Sequence, residues 1–202
     1  MLFSLIENLD RLDIILASVS PRRFELLKQI GLNFKVIPSD FEEESTLKSS
    51  IEELVKYNAQ HKGLPIARNH PEALVISADT VVAFEDQILG KPADEQDAFR
   101  MLRLLSGNTH QVYTAVGLFL KKYDGLKLDV VCTNVTFRKL TEDEILAYIN
   151  TGEPFDKAGG YGIQGQGALL VDRIEGCYYN VVGFPLARFY LMLNDFLKHY
   201  VL

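Results

Sequence analysis

The sequence predicts an α/β fold, with an elongated mixed twisted sheet, flanking helices and two lobes around a central cleft. Three observations carry that expectation. Short apolar runs at residues 14–17 and 73–78 alternate with stretches whose apolar side chains recur at helical spacing, the pattern of a layered α/β domain. Two long β-like segments, 109–120 and 126–138, are joined only by Lys122-Tyr123-Asp124-Gly125. Apolar residues make up 48% of the 202-residue chain, enough for a core, and a mean hydropathy close to zero argues against disorder.

The elements follow in order. Leu2, Leu5, Ile6 and Leu9 fit an amphipathic turn or two, a short appended helix. Residues 14–17 form a strand, and Ser18-Val19-Ser20-Pro21-Arg22-Arg23 leads into a helix ending at Gly31. Ser20 is placed as its N-cap, Pro21 as its first residue and Gly31 as its C-terminal stop. Residues 34–38 suggest a second strand, and the acidic patch 40–44 precedes a helix over about 50–67. A buried strand over 73–78 ends at Asp79-Thr80, and 81–84 with 88–89 form a hairpin around Glu85-Asp86-Gln87. A helix over 93–105 carries Ala98, Met101, Leu102 and Leu105 on one face and stops at Ser106-Gly107. After the two long β segments, Thr141 and Glu144 make a capping box for a helix to Asn150. A strand over 168–174 and an amphipathic helix over 185–200 close the chain, without repeats, low-complexity tracts or an obvious linker.

Composition narrows the function classes. A formal net charge of −6 and the lack of a Lys/Arg block argue against stable nucleic-acid binding, whose affinity comes from neutralising phosphates. A small phosphorylated ligand needs only a local basic pocket. No apolar run approaches the roughly 18 residues of a membrane span. The N-terminus has no basic region of a secretory signal, and Cys132 and Cys177 are too few for a disulfide framework, so a cytoplasmic location is expected.

The richest chemical signal is residues 156–167, where five glycines, two amides, Asp156 and Lys157 lie together. Glycine at this density is incompatible with a helix interior and lets backbone approach a ligand closely. A linker would be richer in Ser or Pro and would not interleave Lys, Asp, Tyr and Ile so tightly. A binding loop is therefore expected here.

Other candidates surround that loop. Ser18, Ser20, Arg22 and Arg23 stand at a strand-to-helix junction, where free N–H groups and forked guanidinium donors suit phosphate oxygens. Cations at a helix N-terminus are otherwise mildly unfavourable, which asks for an anion. Asp79, at the end of an apolar strand, can bind Mg²⁺, orient a water or take its proton. Lys91 follows the hairpin and could pair with phosphate or with Asp79. Glu42, Glu43 and Glu44 resemble a solvated acidic run, and Lys62, late in its helix, an ordinary dipole-complementing lysine. His61, His70, His110 and His199 form no zinc-binding spacing. Carboxylate, lysines and arginines around a glycine loop suit metal-assisted attack of water on a phosphate ester.

Several longer motifs follow one another in order. They are Ile15-Leu16-Ala17-Ser18-x-Ser20-Pro21-Arg22-Arg23, Ala78-Asp79-Thr80-Val81-Val82 with Leu89-Gly90-Lys91-Pro92, and Leu105-Ser106-Gly107-x-Thr109-His110. Gly152-Glu153-Pro154-x-Asp156-Lys157-Ala158-Gly159-x-Tyr161-Gly162-Ile163-Gln164-Gly165 and Tyr178-Tyr179-Asn180-Val181-Val182-Gly183-x-Pro185 complete the set, which together resembles the Maf family of nucleoside triphosphate pyrophosphatases. Residues 1–12 lie outside it as an N-terminal extension, leaving 13–202 as a single Maf-like domain of the Maf and ITP-pyrophosphatase fold. Phe184 stands where Leu is more usual, and the helix around Lys62 matches loosely.

The resemblance implies hydrolysis of a nucleoside triphosphate to monophosphate and pyrophosphate with a divalent cation, Mg²⁺ or Mn²⁺. It implies Asp79 as base and metal ligand with Glu43, the neighbouring glutamates leaving that register open by one. Arg22, Thr80 and Gln164 match positions associated with substrate choice, and Ser18, Arg23, Lys62, Lys91, Asp156 and Lys157 match supporting substrate contacts. The Tyr-Gly-Ile-Gln form of the loop resembles the branch acting on dTTP and UTP. The family is also linked to modified nucleotides and to cell-division arrest and is often dimeric, so the resemblance points toward a homodimer while the sequence specifies no interface and leaves the oligomeric state open. A nucleotide sensor or division-machinery partner without turnover is the rival reading, and a phosphatase releasing orthophosphate the third.

Overall fold

Strands and helices follow the apolar runs of the sequence in the computed structural model, which describes residues 2–7, 9–46, 50–85 and 87–201. The order is β1 (Ile14–Leu16), α1 (Pro21–Gln29), β2 (Lys35–Val36), α2 (Ile51–Asn69), β3 (Leu74–Phe84), β4 (Gln87–Leu89), α3 (Glu95–Leu105), β5 (Thr109–Leu120), β6 (Gly125–Phe137), α4 (Glu142–Ile149), β7 (Val171–Glu175), α5 (Tyr178–Val182) and α6 (Leu186–Tyr200). Seven strands form one sheet in the order β2-β1-β3-β5-β6-β7, with β4 on β3. It is mixed, as expected: β1 runs parallel to β2 and β3, whereas β4 and β7 are antiparallel to β3 and β6.

Local chemistry sets the helix starts. The Ser20 hydroxyl accepts from the Arg23 N–H with Pro21 as first residue, Ser50 and Asp94 cap α2 and α3, and Thr141 and Glu144 form the full capping box of α4. Several expectations need correction. The N-terminal segment makes two 3-10 turns, Leu2–Leu5 and Leu9–Arg11, instead of a helix; a segment this short cannot repay helix nucleation. Ile6 and Leu9 are buried but Leu5 is exposed, and the side chain of Leu2 lies outside the described part, as does Asp86 in the hairpin turn. β2 is shorter than expected, whereas α2 runs through Pro65 as expected and ends at Asn69, with Ile66 and Ala67 packed inward near its end. Residues 165–170 form a 3-10 turn, so β7 starts only at Val171, and the short α5 had no counterpart in the sequence reading.

The most consequential correction concerns β3, which runs unbroken through Asp79 because Thr80, Val81 and Val82 are β-branched and extend the strand. Its partner on one side changes along its length. The ladder with β1 ends at Ile76 and the ladder with β4 begins at Val82, so Asp79 sits between them.

The chain divides into two compact units, one of residues 1–79, 114–131 and 183–202, the other of residues 80–113 and 132–182. In the first, Ile15, Ala17, Ile66, Ala67, Val75 and Phe119 form a core cluster between α2 and the strands. Gly63 lets α2 lie against Phe119: a Cβ there would fall 2.2 Å from the ring. Gly63→Ala should therefore destabilise the protein by about 1–3 kcal/mol in urea unfolding, through overpacking, whereas a helix-propensity gain alone would stabilise it.

In the second unit, Met101, Leu102 and Leu105 of α3 pack with Val135, Phe137, Ile149 and Tyr161. His110 is fully buried there, its Nε2 2.7 Å from the Tyr161 hydroxyl and its ring edge-on to Phe137, while Nδ1 has no hydrogen-bond partner. Burial lowers its pKa to about 4 from 6.5. The unfolded chain therefore binds this proton more readily, so the stabilisation is complete above pH 6.5 and lost as pH falls from there toward 4. The loss amounts to at most about 3 kcal/mol. Thermal melts followed by circular dichroism should show Tm declining across that window, and His110→Gln should flatten the decline.

Candidate functional site

The first unit brings together a group of charged side chains that are far apart in sequence. Asp79 is 2% exposed, a carboxylate in the middle of a strand, which is tolerable only with a partner. Lys62 supplies it from α2, its Nζ 2.6 Å from Asp79 Oδ1. The same ammonium donates to Glu43 Oε1, so two carboxylates meet around one cation. Lys62 is thus a buried residue and not the dipole-complementing surface lysine its position suggested, because it lies on the inward face of α2, which meets Asp79 of β3. Of the three consecutive glutamates, Glu43 is the one whose side chain reaches Lys62; it is 57% exposed, open to a ligand from solvent.

The arginines occupy the first turn of α1. Arg23 is buried, with Nε donating to the Gly183 carbonyl at 3.1 Å and Nη1 to Ser18 Oγ at 3.2 Å. Burial pulls its pKa below the ordinary value, and the charges of Asp79 and Glu43 pull it back up. Ser18 Oγ also accepts from the Ser20 N–H at 3.2 Å, which tightens the turn before the helix. Arg22 is half-buried beside Arg23, and Thr80 is half-buried next to Asp79 on β3.

Lys91, Asp156, Lys157 and Gln164 belong to the second unit and make a separate group. Lys91 and Gln164 are exposed. The Gly159 N–H donates to the Gly90 carbonyl at 2.9 Å, fastening the glycine segment to the turn that carries Lys91. Lys157 Nζ donates to Asp156 Oδ1 and to the Glu153 carbonyl, both at 2.6 Å. The glycine segment is ordered by its own neighbours. Glu153 accepts from the N–H groups of Gln166 and Gly167 at 3.1 and 3.3 Å, and the Tyr148 hydroxyl from Gly162 at 3.2 Å. Gly165 has φ +65°, and a Cβ on it would come 2.8 Å from Glu153 Oε1, so only glycine suits that turn.

Sequence reasoning missed Asn58 and this role of Glu153. Asn58 had a signal: with Leu54, Val55, Ala59, Lys62 and Ile66 it lies at helical spacing on the buried stripe of α2, where a polar side chain needs a partner. Glu153 had none, because its bonds reach 13 and 14 residues along an irregular segment.

The donor set fits a hard divalent cation. Mg²⁺ is commonly held through one or two carboxylates plus substrate phosphates, and Glu43 and Asp79 are two carboxylates already gathered on a cation. Among the described residues, no cluster of three or more His, Cys, Asp or Glu is placed to hold a metal ion unaided.

The Maf-like protein family model matches residues 13–196. The chain belongs to the Maf family. It is 50% identical over 184 residues to the dTTP/UTP pyrophosphatase of Clostridium botulinum (strain Eklund 17B / Type B), covering 90% of this chain and 98% of that protein. It is also 50% identical over 183 residues to the dTTP/UTP pyrophosphatase of Dictyoglomus thermophilum, covering 90% and 95%. Among solved structures, the Ham1 protein of Staphylococcus aureus aligns with TM-score 0.51 at 15% identity, over 93% of this chain and 98% of that one. A HAM1 protein from Coxiella burnetii aligns with TM-score 0.50 at 15% identity, over 93% and 99%. At such identity the likeness concerns the fold alone, and it agrees with the mixed α/β sheet of this Maf protein. Among the described residues no helix is long and apolar enough to cross a membrane.

Removing one member of a buried ion pair leaves the other charge uncompensated, at a cost of about 3–5 kcal/mol. Lys62→Met should show a loss of that order in urea unfolding of this Maf protein, and adding Asp79→Leu should recover most of it.

Proposed function

We propose that this chain hydrolyses dTTP and UTP to the monophosphate and pyrophosphate. The observation that carries the reading is the meeting of Asp79, Lys62 and Glu43 inside the first unit, in a chain half identical to proteins named for that activity. In this reading water attacks the α-phosphorus, the bond to the bridging oxygen breaks, and pyrophosphate leaves with the electron pair. Asp79 takes the water's proton. Its Oδ1 accepts from Lys62 and its Oδ2 from Asn58, which fixes the carboxylate plane and leaves lone pairs for that water.

Glu43 and Asp79 would hold the divalent cation, Mg²⁺ or Mn²⁺. When bound, such an ion offsets phosphate charge and makes a bound water more acidic. Arg22, Arg23 and Ser18 are proposed contacts of the triphosphate, and Lys62 balances the carboxylates as the substrate's charge arrives. Thr80 is a proposed determinant of substrate choice. Within the second unit, Lys91, Asp156 and Lys157 are proposed substrate contacts and Gln164 the reader of the base, on the family resemblance alone. An amide offers both a donor and an acceptor to a pyrimidine's polar edge. Positioned cations suffice for phosphoryl chemistry of this kind, so no covalent nucleophile is required.

The test is a panel of nucleoside triphosphates with Mg²⁺ or Mn²⁺ in which pyrophosphate and orthophosphate are separated. Pyrophosphate should appear from dTTP and UTP, and Asp79→Asn should lower kcat on the order of 10²–10⁴-fold per folded molecule, with some loss of stability because Lys62 keeps only Glu43 as counter-charge. Orthophosphate as product would make the chain a phosphatase. Nucleotide binding without turnover would make it a sensor.

A further inference from the structure

Asn58 lies on α2 one turn before Lys62 and is 1% exposed. Its amide is used at both ends. Oδ1 accepts from the Glu44 N–H at 3.0 Å, while Nδ2 donates to the Glu44 carbonyl at 3.0 Å and to Asp79 Oδ2 at 3.1 Å. The Glu44 N–H can only be met by the amide oxygen, so the amide cannot turn over, and an N–H must face Asp79.

These bonds close a circuit. Asp79 Oδ2 is tied through Asn58 to the Glu44 peptide, the preceding residue Glu43 is tied to Lys62, and Lys62 returns to Asp79 Oδ1. Residues 40–46 contain neither helix nor strand, so the acidic loop owes its place to such contacts. On its other flank Phe41 packs on the stacked Tyr57 and His61 of α2, with centroids 6.2 and 5.3 Å away. Phe41 anchors the loop to the outside of α2, while Asn58, alongside Lys62, couples the loop to Asp79 and is the one of the two that holds its backbone.

We infer that Asn58 is a positioning residue for the reaction: it locks the plane of Asp79 and holds the Glu43 loop so that both carboxylates serve one cation. This rests on the pyrophosphatase reading of the same site. An apolar side chain of similar volume would fill the space, yet it would free the Glu44 peptide and one oxygen of Asp79 together.

The experiment compares the full-length wild type with Asn58→Leu, which keeps the branched shape and loses all three bonds, and Asn58→Asp, which keeps an acceptor for Glu44 and loses the donors to Asp79 and to the Glu44 carbonyl. Titration calorimetry with the non-hydrolysable αβ-methylene analogue of dTTP, with and without Mg²⁺, counts competent sites, so turnover is expressed per site. Both variants should bind the analogue with wild-type stoichiometry and with KM within about threefold. The kcat per site should fall roughly 10–100-fold, and the Mg²⁺ concentration for half-maximal rate should rise about tenfold, the usual scale for residues that orient metal-site carboxylates. A merely structural residue would lower the number of competent sites and leave the rate per site and the Mg²⁺ requirement unchanged; that result overturns the role. So does an active wild type matched by both variants. A wild type that releases no pyrophosphate from any nucleotide overturns the activity itself, and this role with it.

Discussion

A carboxylate in the middle of a buried strand is among the least favourable placements a side chain can have, and the first unit is arranged around making it tolerable. Asp79 needs a counter-charge that water cannot supply, and Lys62 must cross from α2 to deliver it. That requirement fixes how closely the helix lies on the sheet, which Gly63 permits by presenting no side chain to Phe119. It also fixes the acidic loop, since Glu43 completes the charge balance around the same ammonium and Asn58 anchors the adjoining peptide. Ordinary packing of α2 and the chemistry of the site are one constraint seen from two sides.

The location of Asp79 follows from the sheet. Loss of β1 as a neighbour after Ile76 and arrival of β4 at Val82 leave a stretch of β3 without a strand beside it on that side, among the described residues. Close by in the chain of β1, the sequence turns through Ser18 and Ser20 into α1 and carries Arg23 inward, where Asp79 and Glu43 act on its charge. A strand end meeting a helix start beside a change of partners is the place where α/β sheets accept ligands.

Much of this was legible in the sequence where the signal is local. Ser20-Pro21 and Thr141-Glu144 announce helix starts because capping bonds span only three residues, and Ala98, Met101, Leu102 and Leu105 declare the buried face of α3 by spacing alone. Asp79 was named from its place at the end of an apolar run and Lys62 and Glu43 on resemblance, but their meeting was not legible, because strand, helix and loop are brought together only by tertiary packing. The continuation of β3 through Asp79 was hidden for a different reason: a polar residue inside an apolar run suggests a strand end, whereas the strand runs straight on from Leu74 to Phe84. The polar pair Asn58 and Lys62, four apart on an otherwise apolar stripe, was the signal available and unused.

The glycine-rich segment has a thermodynamic consequence. Glycine loses more conformational freedom than any other residue when its backbone is fixed, and ordering each residue costs about 1–2 kcal/mol. Glu153, Tyr148 and the Gly90 carbonyl restrain residues 159–167 within the folded chain itself. The entropy of ordering that segment is therefore surrendered during folding and not when a ligand arrives. A loop whose composition suggests suppleness behaves as a preset surface, so the free energy of any encounter with it goes into recognition instead of immobilisation.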